Sequence, residues 1–415
     1  MSSESRVVIV GGGMAGARLA QQLAARAGTA VTVIGDEPHA PYNRVLLAEV
    51  LGGRYPADVI ALPAPAGETV TWRTGVRAVR IDRDERRVVC DDGALVPYDA
   101  LVLATGSNPV LPPFHGLFEP GRHELPRGVR AFRTLDDCLA LDTEVRDGTP
   151  AVVIGGGLLG VSAARALARR GARVVLAQQG ERLMERQLDA GSSALLREHL
   201  ETLGVEVHTE CRVRQLLLSD PREEHRQVRG VQLADGFRLD AEQVVLACGV
   251  RPRTGLARAA GLTVARGIVI DDELRTDAPR IFALGDCSEH RGTVYGLAGA
   301  AQEQADVLAR VLSGDDGVRY SGTRALTRLT FNGGATPLDL ASFGETTPEP
   351  GDDVVQLADA TRGAYRRIVV RGDRLMGGVL LGDLGGVGAL ARAWESDDPL
   401  PASPLLHLLT HDGGS

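Results

Sequence analysis

The sequence predicts an α/β protein with two doubly wound parallel sheets, the second inserted in the first, followed by a small C-terminal α+β domain. Three observations indicate this fold class. A glycine-rich strand-to-helix pattern occurs twice, and a second repeated pair of strand-to-glycine turns lies downstream. The third observation is length, because 415 residues exceed the usual size of one domain.

The glycine-rich pattern opens each half of the repeat. Residues 6–20 read RVVIVGGGMAGARLA, and residues 150–164 read PAVVIGGGLLGVSAA. In both, β-branched and aliphatic residues lead into Gly-x-Gly-x-x-Gly and then into an alanine-rich helix. This order places backbone N–H groups and a helix dipole against a pyrophosphate. Two copies in the required context are stronger evidence than one, so we predict two Rossmann-like dinucleotide-binding domains.

Each glycine of the pattern has a predicted task. Gly11 makes the turn, Gly13 lets the phosphate approach, and Gly16 allows close packing of the helix on the strand. The second copy repeats this arrangement with Gly155, Gly157 and Gly160. The residues that start the two helices complete this part of the candidate cofactor site: Met14, Ala15, Leu158 and Leu159. A second strand follows each helix, at 30–34 and 172–176.

The second repeat sets the domain limits. YDALVLATGSNPVLPP (98–113) and AEQVVLACGVRPRTGL (241–256) each run a strand into a turn of small residues and glycine, with candidate cofactor contacts at Thr105, Gly106 and Gly249. Turns of this type carry the chain between two nucleotide domains. We therefore expect one domain over 1–115 and 247–320, and an inserted domain over 116–246. Alternating strands and glycine turns predict a third domain over 321–415.

Composition limits the class of function. The net charge of −8, without long runs of one sign, argues against nucleic acid as a partner. No apolar run approaches the roughly 18–20 residues that cross a bilayer, and MSSESRVVIV resembles neither a signal nor a transit peptide. We therefore expect a cytoplasmic protein without a membrane partner. The chain has no lysine, which excludes a lysine Schiff base. These features do not distinguish a monomer from a homodimer.

The cysteines are scattered, with no spacing typical of a metal site. We expect no metal and interpret each cysteine as a small buried hydrophobic residue. They are Cys90, Cys138, Cys211, Cys248 and Cys287.

The run TDAPRIFALGD (276–286) ends a buried strand in a glycine and a carboxylate. A simple turn explains Gly-Asp by itself. Downstream of two fingerprints, however, the run resembles the second FAD motif of flavoproteins with two dinucleotide-binding domains. Within them the chain resembles the ferredoxin and rubredoxin reductases and the flavin-binding part of assimilatory NAD(P)H-nitrite reductases. The resemblance covers nearly the whole chain and is most specific at DEPHAPYNRVLLAEVL (36–51), RQLD (186–189), GVRPR (249–253) and YRRIVVRGDRLMGGVLLGD (365–383).

The resemblance implies FAD in the first domain and NAD(P)H as co-substrate in the second. By position, Asp286 accepts a hydrogen bond from a ribitol hydroxyl, Gly285 leaves room for it, and Asp36 holds the adenosine ribose. Three further residues carry implied FAD contacts: Arg44 and Arg133 along the phosphates or flavin, and Ala78 through its backbone against adenine. Surface salt bridges for the arginines and a core position for Ala78 are the alternatives. Ala298 leads a helix over 300–312 whose N-terminus stabilises negative charge on reduced flavin.

Three positions depart from the family pattern. Gln178 replaces the acid expected to accept the hydroxyls of the NAD ribose, and Arg182 lies near enough in sequence to bind a 2′-phosphate, so NADH and NADPH both stay open. Ser162 stands where the family has a glutamate near the nicotinamide. Glu49 stands where ferredoxin reductases have a lysine, which nitrite-reductase relatives also lack. Since PYNRVLLAEVL contains no cysteine, reduction of disulfides or peroxides is not expected.

The resemblance therefore implies an FAD-dependent NAD(P)H oxidoreductase that passes electrons singly to a separate partner. That partner is a small ferredoxin or rubredoxin, or a nitrite or nitrate reductase component without its own flavin domain. No catalytic acid or base is identified. A flavin oxidase or tailoring oxidoreductase with a degenerate nicotinamide site is the alternative, and a redox-sensing or scaffold flavoprotein is a third hypothesis. An isolated nitrite reductase is not expected, since no C-terminal cysteine cluster could hold an iron–sulfur centre or sirohaem.

Overall fold

The computed structural model describes residues 5–63, 70–118, 124–220, 222–223, 226–324, 326–332, 337–359, 361, 363–396, 398–400 and 409. The described residues of the N-terminal part form eight strands and two helices. They are β1 (Ser5–Val10), α1 (Met14–Ala24), β2 (Thr29–Gly35), α2 (Leu47–Leu51), β3 (Val70–Thr74), β4 (Ala78–Asp82), β5 (Arg87–Cys90), β6 (Leu95–Pro97), β7 (Ala100–Leu103) and β8 (Ser107–Pro109). Short 3-10 turns cover Arg44–Leu46 and Ala57–Ile60.

The middle of the chain repeats the strand-helix-strand order of the start. Its elements are β9 (Val129–Ala131), α3 (Leu135–Glu144), β10 (Pro150–Ile154), α4 (Leu158–Arg169), β11 (Arg173–Ala177), α5 (Ala190–Thr202), β12 (Val205–His208), β13 (Val213–Leu218), β14 (Val228–Leu233), β15 (Arg238–Asp240) and β16 (Gln243–Leu246). The next segment contains β17 (Val250–Pro252), α6 (Gly255–Ala259), β18 (Ile268–Ile270), β19 (Ile281–Ala283), a 3-10 turn (Gly285–Cys287), β20 (Ser288–His290) and α7 (Ala298–Val311).

Two five-stranded parallel sheets form the centre of the molecule. Their strand orders are β19-β7-β1-β2-β3 and β12-β11-β10-β16-β9. In both sheets the strand that enters the glycine fingerprint, β1 or β10, lies in the middle. Its last four residues are buried in each case, which explains the continuous runs of valine and isoleucine in the sequence. The predicted α/β fold class is confirmed.

The second sheet lies between two parts of the first in sequence. After β16 closes the second sheet, the chain returns, and β19 pairs in parallel with β7 of the first sheet. A short antiparallel ribbon of β8 and β17 stands at the two crossings between the sheets. This topology agrees with an inserted domain, while the predicted limits at 115, 246 and 320 stay predictions.

The described residues of the C-terminal region form an antiparallel sheet and one helix. Its elements are β21 (Leu326–Phe331), β22 (Leu338–Gly344), β23 (Asp353–Asp359), β24 (Ala364–Arg371), β25 (Arg374–Leu381) and α8 (Val387–Ser396), with the strand order β21-β22-β25-β24-β23. Tyr365 and Leu381 of this sheet share a hydrophobic core with Leu183 and Leu188 of the second domain. The third unit therefore packs on the inserted domain. Past residue 400, the predicted third domain lies outside the described residues except for Leu409.

One predicted helix is shifted. We expected a helix over 300–312, whereas α7 runs from Ala298 to Val311. Leu297, in an extended conformation, is its N-cap, and the sequence gives little signal for this start because leucine rarely caps a helix and Gly299 has a low helix propensity. The helix consequently begins at the cavity wall described below. In the described part of the chain, every helix is too short or too polar to cross a membrane.

Candidate dinucleotide-binding site

A single cavity of about 1530 Å³ reaches both glycine fingerprints. Its walls include the turns after β1 and β10, the segment after β2, the start of α7 and residues 326–329 of the C-terminal unit. All three units of the chain therefore contribute to one site. A cavity with this reach can hold two extended ligands with their ends facing one another.

The first fingerprint shows why its glycines cannot be larger residues. Gly11 has φ +122°, and a Cβ on it would lie 2.0 Å from the carbonyl oxygen of Ala104. A Cβ on Gly16 would lie 2.0 Å from the carbonyl oxygen of Gly11. A Cβ on Gly13, in contrast, would have no described atom beyond its chain neighbours within 4 Å. Gly11 and Gly16 therefore serve the close packing of the chain, and Gly13 leaves open space at the cavity.

The second fingerprint repeats this geometry. Gly155 has φ +111°, with the Ala247 carbonyl oxygen 2.4 Å from an added Cβ, and a Cβ on Gly160 would lie 1.7 Å from the Gly155 carbonyl oxygen. Gly157 is open in the way that Gly13 is. Both α1 and α4 begin at these open glycines without a side-chain cap, so their first N–H groups can bind a phosphate. The two turns fit two dinucleotides.

Asp286 lies where the first sheet meets the cavity. Its carboxylate accepts hydrogen bonds from the Ser107 hydroxyl at 2.8 Å and from Arg133 at 2.7 Å. Gly285, at φ +76°, directs the turn, and its N–H donates to Gln304 at 2.7 Å. These bonds fix the carboxylate at the cavity wall with acceptor capacity to spare, which suits a ligand rich in hydroxyls.

Arg133 is a half-buried cation that the protein does not fully satisfy. Burial lowers the pKa of Arg133, and the charge of Asp286 only partly opposes this effect. Its Nε is buried without a hydrogen-bond partner among the described residues. Because Arg133 lines the cavity, an anionic ligand would supply the missing interaction. This orphaned donor fits a cofactor with phosphate groups.

Arg44 belongs to the same network. It donates to Glu37 at 2.6 Å and to the carbonyl oxygen of Arg133 at 2.7 Å. Burial lowers the pKa of Arg44, but Tyr42 and Glu37 beside it raise the pKa above its ordinary value overall. Tyr42 in turn donates to Glu37 and accepts from the Leu135 N–H at 3.0 Å. The residues at 37–44 are thus tied to the start of α3, and Arg44 stays charged at the cavity.

The ends of β2 and β7 carry three of the predicted cofactor contacts, Asp36, Thr105 and Gly106, to the cavity. Asp36 follows β2 at the cavity and forms an ion pair with Arg253 at 2.6 Å. Thr105 donates to the Arg253 carbonyl oxygen at 2.7 Å, in the turn that Gly106 makes at φ +70°. The return segment at 249–253 is therefore fixed against the first domain, and both acids expected to hold FAD line the cavity.

The second site has Gln178 where an acidic residue is expected beside the nucleotide ribose. The Gln178 side-chain oxygen accepts from the Gly156 N–H at 2.8 Å, and its amide nitrogen donates to the Arg182 carbonyl oxygen at 3.3 Å. Ser162 donates to the Leu158 carbonyl oxygen at 2.8 Å within α4, although it also lines the cavity. Arg182, named above for a 2′-phosphate, is not among the residues that line the cavity, whereas Arg186 is.

Most of the predicted site residues meet in this cavity. Gly16 and Gly160 lie behind its wall, and Ala78 starts β4, pairs with Cys90 and does not line the cavity. The role of Ala78 against adenine stays a prediction that this placement does not favour. The predicted residues that line the cavity are Gly11, Gly13, Met14, Ala15, Asp36, Arg44, Thr105, Gly106, Arg133, Gly155, Gly157, Leu158, Leu159, Gln178, Gly249, Gly285, Asp286 and Ala298.

Four polar residues of the site were missed in the sequence. Ser107 and Gln304 position the turn that carries Asp286, Glu37 neutralises Arg44, and Arg253 pairs with Asp36. Ser107 could have been found, since it directly follows the Thr105-Gly106 turn. Gln304 gives no such signal, because only the packing of α7 brings it to Gly285.

The cysteines are free thiols. Cys90, Cys138 and Cys287 are buried as expected, but Cys211 and Cys248 are half-buried and line the cavity. Burial raises the pKa of Cys248 to about 11 and raises that of Cys211 in the same direction. Both thiols are therefore protonated at neutral pH and are poor nucleophiles.

Fold and site together define a protein with two dinucleotide-binding domains that share one cleft. A family model described as pyridine nucleotide-disulphide oxidoreductase matches residues 5–305, and one described as the rubredoxin NAD⁺ reductase C-terminal domain matches residues 334–397. The chain belongs to the pyridine nucleotide-disulphide oxidoreductase family. This membership confirms the resemblance drawn from the sequence and the expected cofactors, FAD and NAD(P)H.

Two curated relatives and one solved structure resemble the chain over most of its length. Nitrite reductase [NAD(P)H] of Bacillus subtilis is 35% identical over 92% of this chain and 46% of its own length. Putidaredoxin reductase of Pseudomonas putida is 32% identical over 76% of this chain and 75% of its own length. The covalent putidaredoxin reductase–putidaredoxin complex superposes with a TM-score of 0.84 at 25% identity, covering both chains fully. The chain spans less than half the length of the nitrite reductase it matches.

Proposed function

We propose that the protein is an FAD-dependent NAD(P)H oxidoreductase that delivers electrons to a separate redox protein. The observation that carries this proposal is the single cavity joining two equivalent glycine turns, with Asp286 at its first half. The cofactors would supply the redox chemistry when bound, namely hydride transfer from NAD(P)H to FAD and release of single electrons. The protein residues bind, orient and enclose them.

The chain's own groups divide this work between them. The N–H groups after Gly13 and Gly157 would bind the two pyrophosphates, and Asp286 would orient the ribitol. The start of α7 at Ala298 directs a helix N-terminus at the cavity and favours negative charge there. Residues 326–329 of the C-terminal unit line the cavity and would limit the access of water there. No proton transfer by a side chain is required for this chemistry.

The partner is proposed as a small ferredoxin-like or rubredoxin-like protein, or a nitrite or nitrate reductase component. Two relatives, putidaredoxin reductase and nitrite reductase, support this choice of partner. The match of the C-terminal region to the rubredoxin NAD⁺ reductase C-terminal domain supports it as well. The pKa values of the cavity thiols Cys248 and Cys211 are raised, which argues against a cysteine of this chain as the group that accepts electrons from the flavin. Cytoplasmic location stays a prediction, and the sequence leaves both a monomer and a homodimer open.

The test is anaerobic reduction of the purified holoprotein. NADH or NADPH should bleach the visible absorption of oxidised flavin, and added ferredoxin, rubredoxin or nitrite reductase component should restore it. A flavin that either nucleotide bleaches but only oxygen restores would favour the flavin oxidase instead. A flavin that neither nucleotide bleaches would contradict the proposal.

A further inference from the structure

The cavity wall beside the second fingerprint is built from three chain segments held by hydrogen bonds. The Gln178 carbonyl oxygen accepts from the Cys211 N–H at 3.0 Å, so the segment before β13 lies against the end of β11. The Gly156 carbonyl oxygen accepts from the Met184 N–H at 2.8 Å, which fixes the segment before α5 against the fingerprint turn. Residues that follow Met184 and Cys211 therefore reach the mouth of the nucleotide site.

Three arginines occupy these positions on the wall: Arg186, Arg212 and Arg214. Val213 is buried, and because side chains alternate along a strand, Arg212 and Arg214 both project away from the core. All three are exposed. Within the described part of the chain, none of their guanidinium groups has a hydrogen bond or ion pair. Each therefore brings an uncompensated positive charge to the same cavity.

The acidic groups of this wall do not balance its arginines. Gln178, which stands in place of an acid, uses its amide oxygen on the Gly156 N–H and its amide nitrogen on the Arg182 carbonyl oxygen. Glu185 also lines the cavity, but its carboxylate accepts from the Arg182 N–H at 3.2 Å and is drawn onto the turn at 180–182. The wall therefore carries more positive than negative charge and offers no free carboxylate at Gln178 for a ribose diol.

We propose that Arg186, Arg212 and Arg214 bind a phosphate ester on the adenosine ribose, so that the chain prefers NADPH to NADH. This inference rests on the proposed function, because it concerns the nucleotide of that reaction. Guanidinium groups bind phosphate through paired N–H donors and stay charged at any physiological pH. The ribose diol of NADH has no charge that could use these groups, so they favour the phosphorylated nucleotide.

The first experiment measures binding alone. The holoprotein is titrated calorimetrically with adenosine 2′,5′-bisphosphate and, separately, with AMP. The bisphosphate should bind at least about tenfold more tightly, since charge-assisted phosphate contacts contribute more than a kilocalorie per mole. The double variant Arg212→Gln, Arg214→Gln should remove most of this preference, lowering bisphosphate affinity far more than AMP affinity. Arg186→Gln should give a smaller change in the same direction.

The matched control is Arg238→Gln, an exposed position on β15 that removes one positive charge without touching the cavity. It should keep the full preference. Equal binding of the two adenosine phosphates by the wild-type protein would overturn the inference, as would an undiminished preference in the double variant.

The second experiment separates this inference from the proposed function. Flavin reduction is followed with NADPH and NADH at matched concentrations. Faster reduction by NADPH, with the difference lost in the double variant, supports both. Equal reduction by both nucleotides supports the oxidoreductase and overturns the preference. Bisphosphate binding without reduction by either nucleotide supports the phosphate site and overturns the oxidoreductase.

Discussion

Arg165 of α4 donates a hydrogen bond to the carboxylate of Glu49 on α2 and joins the two nucleotide-binding domains. A second nitrogen of Arg165 donates to the Asn332 carbonyl oxygen at 3.0 Å, in the C-terminal unit. The Arg165 side chain is only 3% exposed and that of Glu49 12%. One buried guanidinium therefore connects all three units of the chain directly behind the cleft. Glu49 stands where ferredoxin reductases have a lysine. The ion pair with Arg165 explains why a glutamate suits this position.

Removal of Arg165 should destabilise the protein more than any surface charge does. Arg165→Met leaves the Glu49 carboxylate buried without its main partner, and such a loss costs about 3–5 kcal/mol. Loss of stability is measured by urea unfolding of the holoprotein. The double variant Glu49→Met, Arg165→Met should recover most of it, because a buried pair can be replaced by apolar side chains at little cost.

Arg54 provides the matched control for this pair. It lies 3.6 Å from Glu49 but is 42% exposed, so Arg54→Gln should change the free energy of unfolding by less than about 1 kcal/mol. If Arg165→Met proves as mild as Arg54→Gln, the connection between the units does not depend on the ion pair.

Local features of the sequence predicted the fold and the turns of the site. Each of these stretches combines a strand with a glycine of positive φ and the residues that directly follow it, so neighbouring positions in the sequence are enough to predict it. The stretches are the fingerprints at 11–16 and 155–160 and the run into Asp286. What the sequence could not predict are contacts between distant elements. Arg165 and Glu49 are separated by 116 positions, and Gln304 meets Gly285 only after α7 has packed. The sequence pointed to Arg182 for a 2′-phosphate because Arg182 is close to Gln178 in the chain, whereas the cavity is lined by Arg186.

Gly13→Ala and Gly16→Ala should separate cofactor binding from folding. A methyl group on Gly13 meets no described atom within 4 Å, and its φ of −74° suits alanine, so the apoprotein should fold normally. The methyl group nevertheless occupies the phosphate approach, and FAD affinity should fall by tenfold or more, on the order of the loss of one charge-assisted hydrogen bond. Fluorescence titration of apoprotein with FAD measures this effect.

Gly16→Ala places a methyl group 2.0 Å from the Gly11 carbonyl oxygen and should instead lower the melting temperature of the apoprotein. The equivalent pair, Gly157→Ala and Gly160→Ala, should behave in the same way toward NAD(P)H with FAD retained. A large loss of apoprotein stability in Gly13→Ala would contradict the division of tasks between these glycines.

Asp286→Ala should weaken FAD binding by about ten- to a hundredfold, the loss expected for hydrogen bonds to a charged group. The same change leaves Arg133 without its carboxylate at 2.7 Å, so part of the effect is lost orientation of that cation. Ser107→Ala removes one donor and keeps the charge, and its effect should be several times smaller. FAD retention after gel filtration and titration of apoprotein measure both. Equal FAD affinity in Asp286→Ala and wild type would show that Asp286 does not bind the cofactor.

The anchor of the C-terminal unit should depend on pH. Asp189 caps α5 and accepts from the Tyr365 hydroxyl at 2.8 Å, with Arg367 3.5 Å away. Burial raises the pKa of Asp189, but the hydrogen bonds from Tyr365 and Ser192 and the charge of Arg367 outweigh burial and hold the pKa below 3.8. The carboxylate therefore stabilises the folded state fully above about pH 4 and loses this contribution as pH falls through the lowered pKa.

Asp189→Asn tests this dependence, because asparagine retains the capping geometry and removes the charge. The variant should be less stable than wild type at pH 7, and the difference should shrink below pH 4. Unfolding curves across this range measure it, with the exposed Asp240→Asn as control. A stability difference that is independent of pH would mean that the charge of Asp189 contributes nothing.

Replacement of both cavity cysteines should leave electron transfer intact. Cys211 and Cys248 are the half-buried thiols of the site, and burial raises the pKa of Cys248 to about 11, so hardly any thiolate exists at pH 7. The double variant Cys211→Ser, Cys248→Ser should bind FAD and be reduced by NAD(P)H at the wild-type rate in stopped-flow mixing. Iodoacetamide should label neither thiol in the native protein within the time of the assay. A variant that retains FAD but passes no electrons to a protein carrier would show that a thiol lies on the electron path.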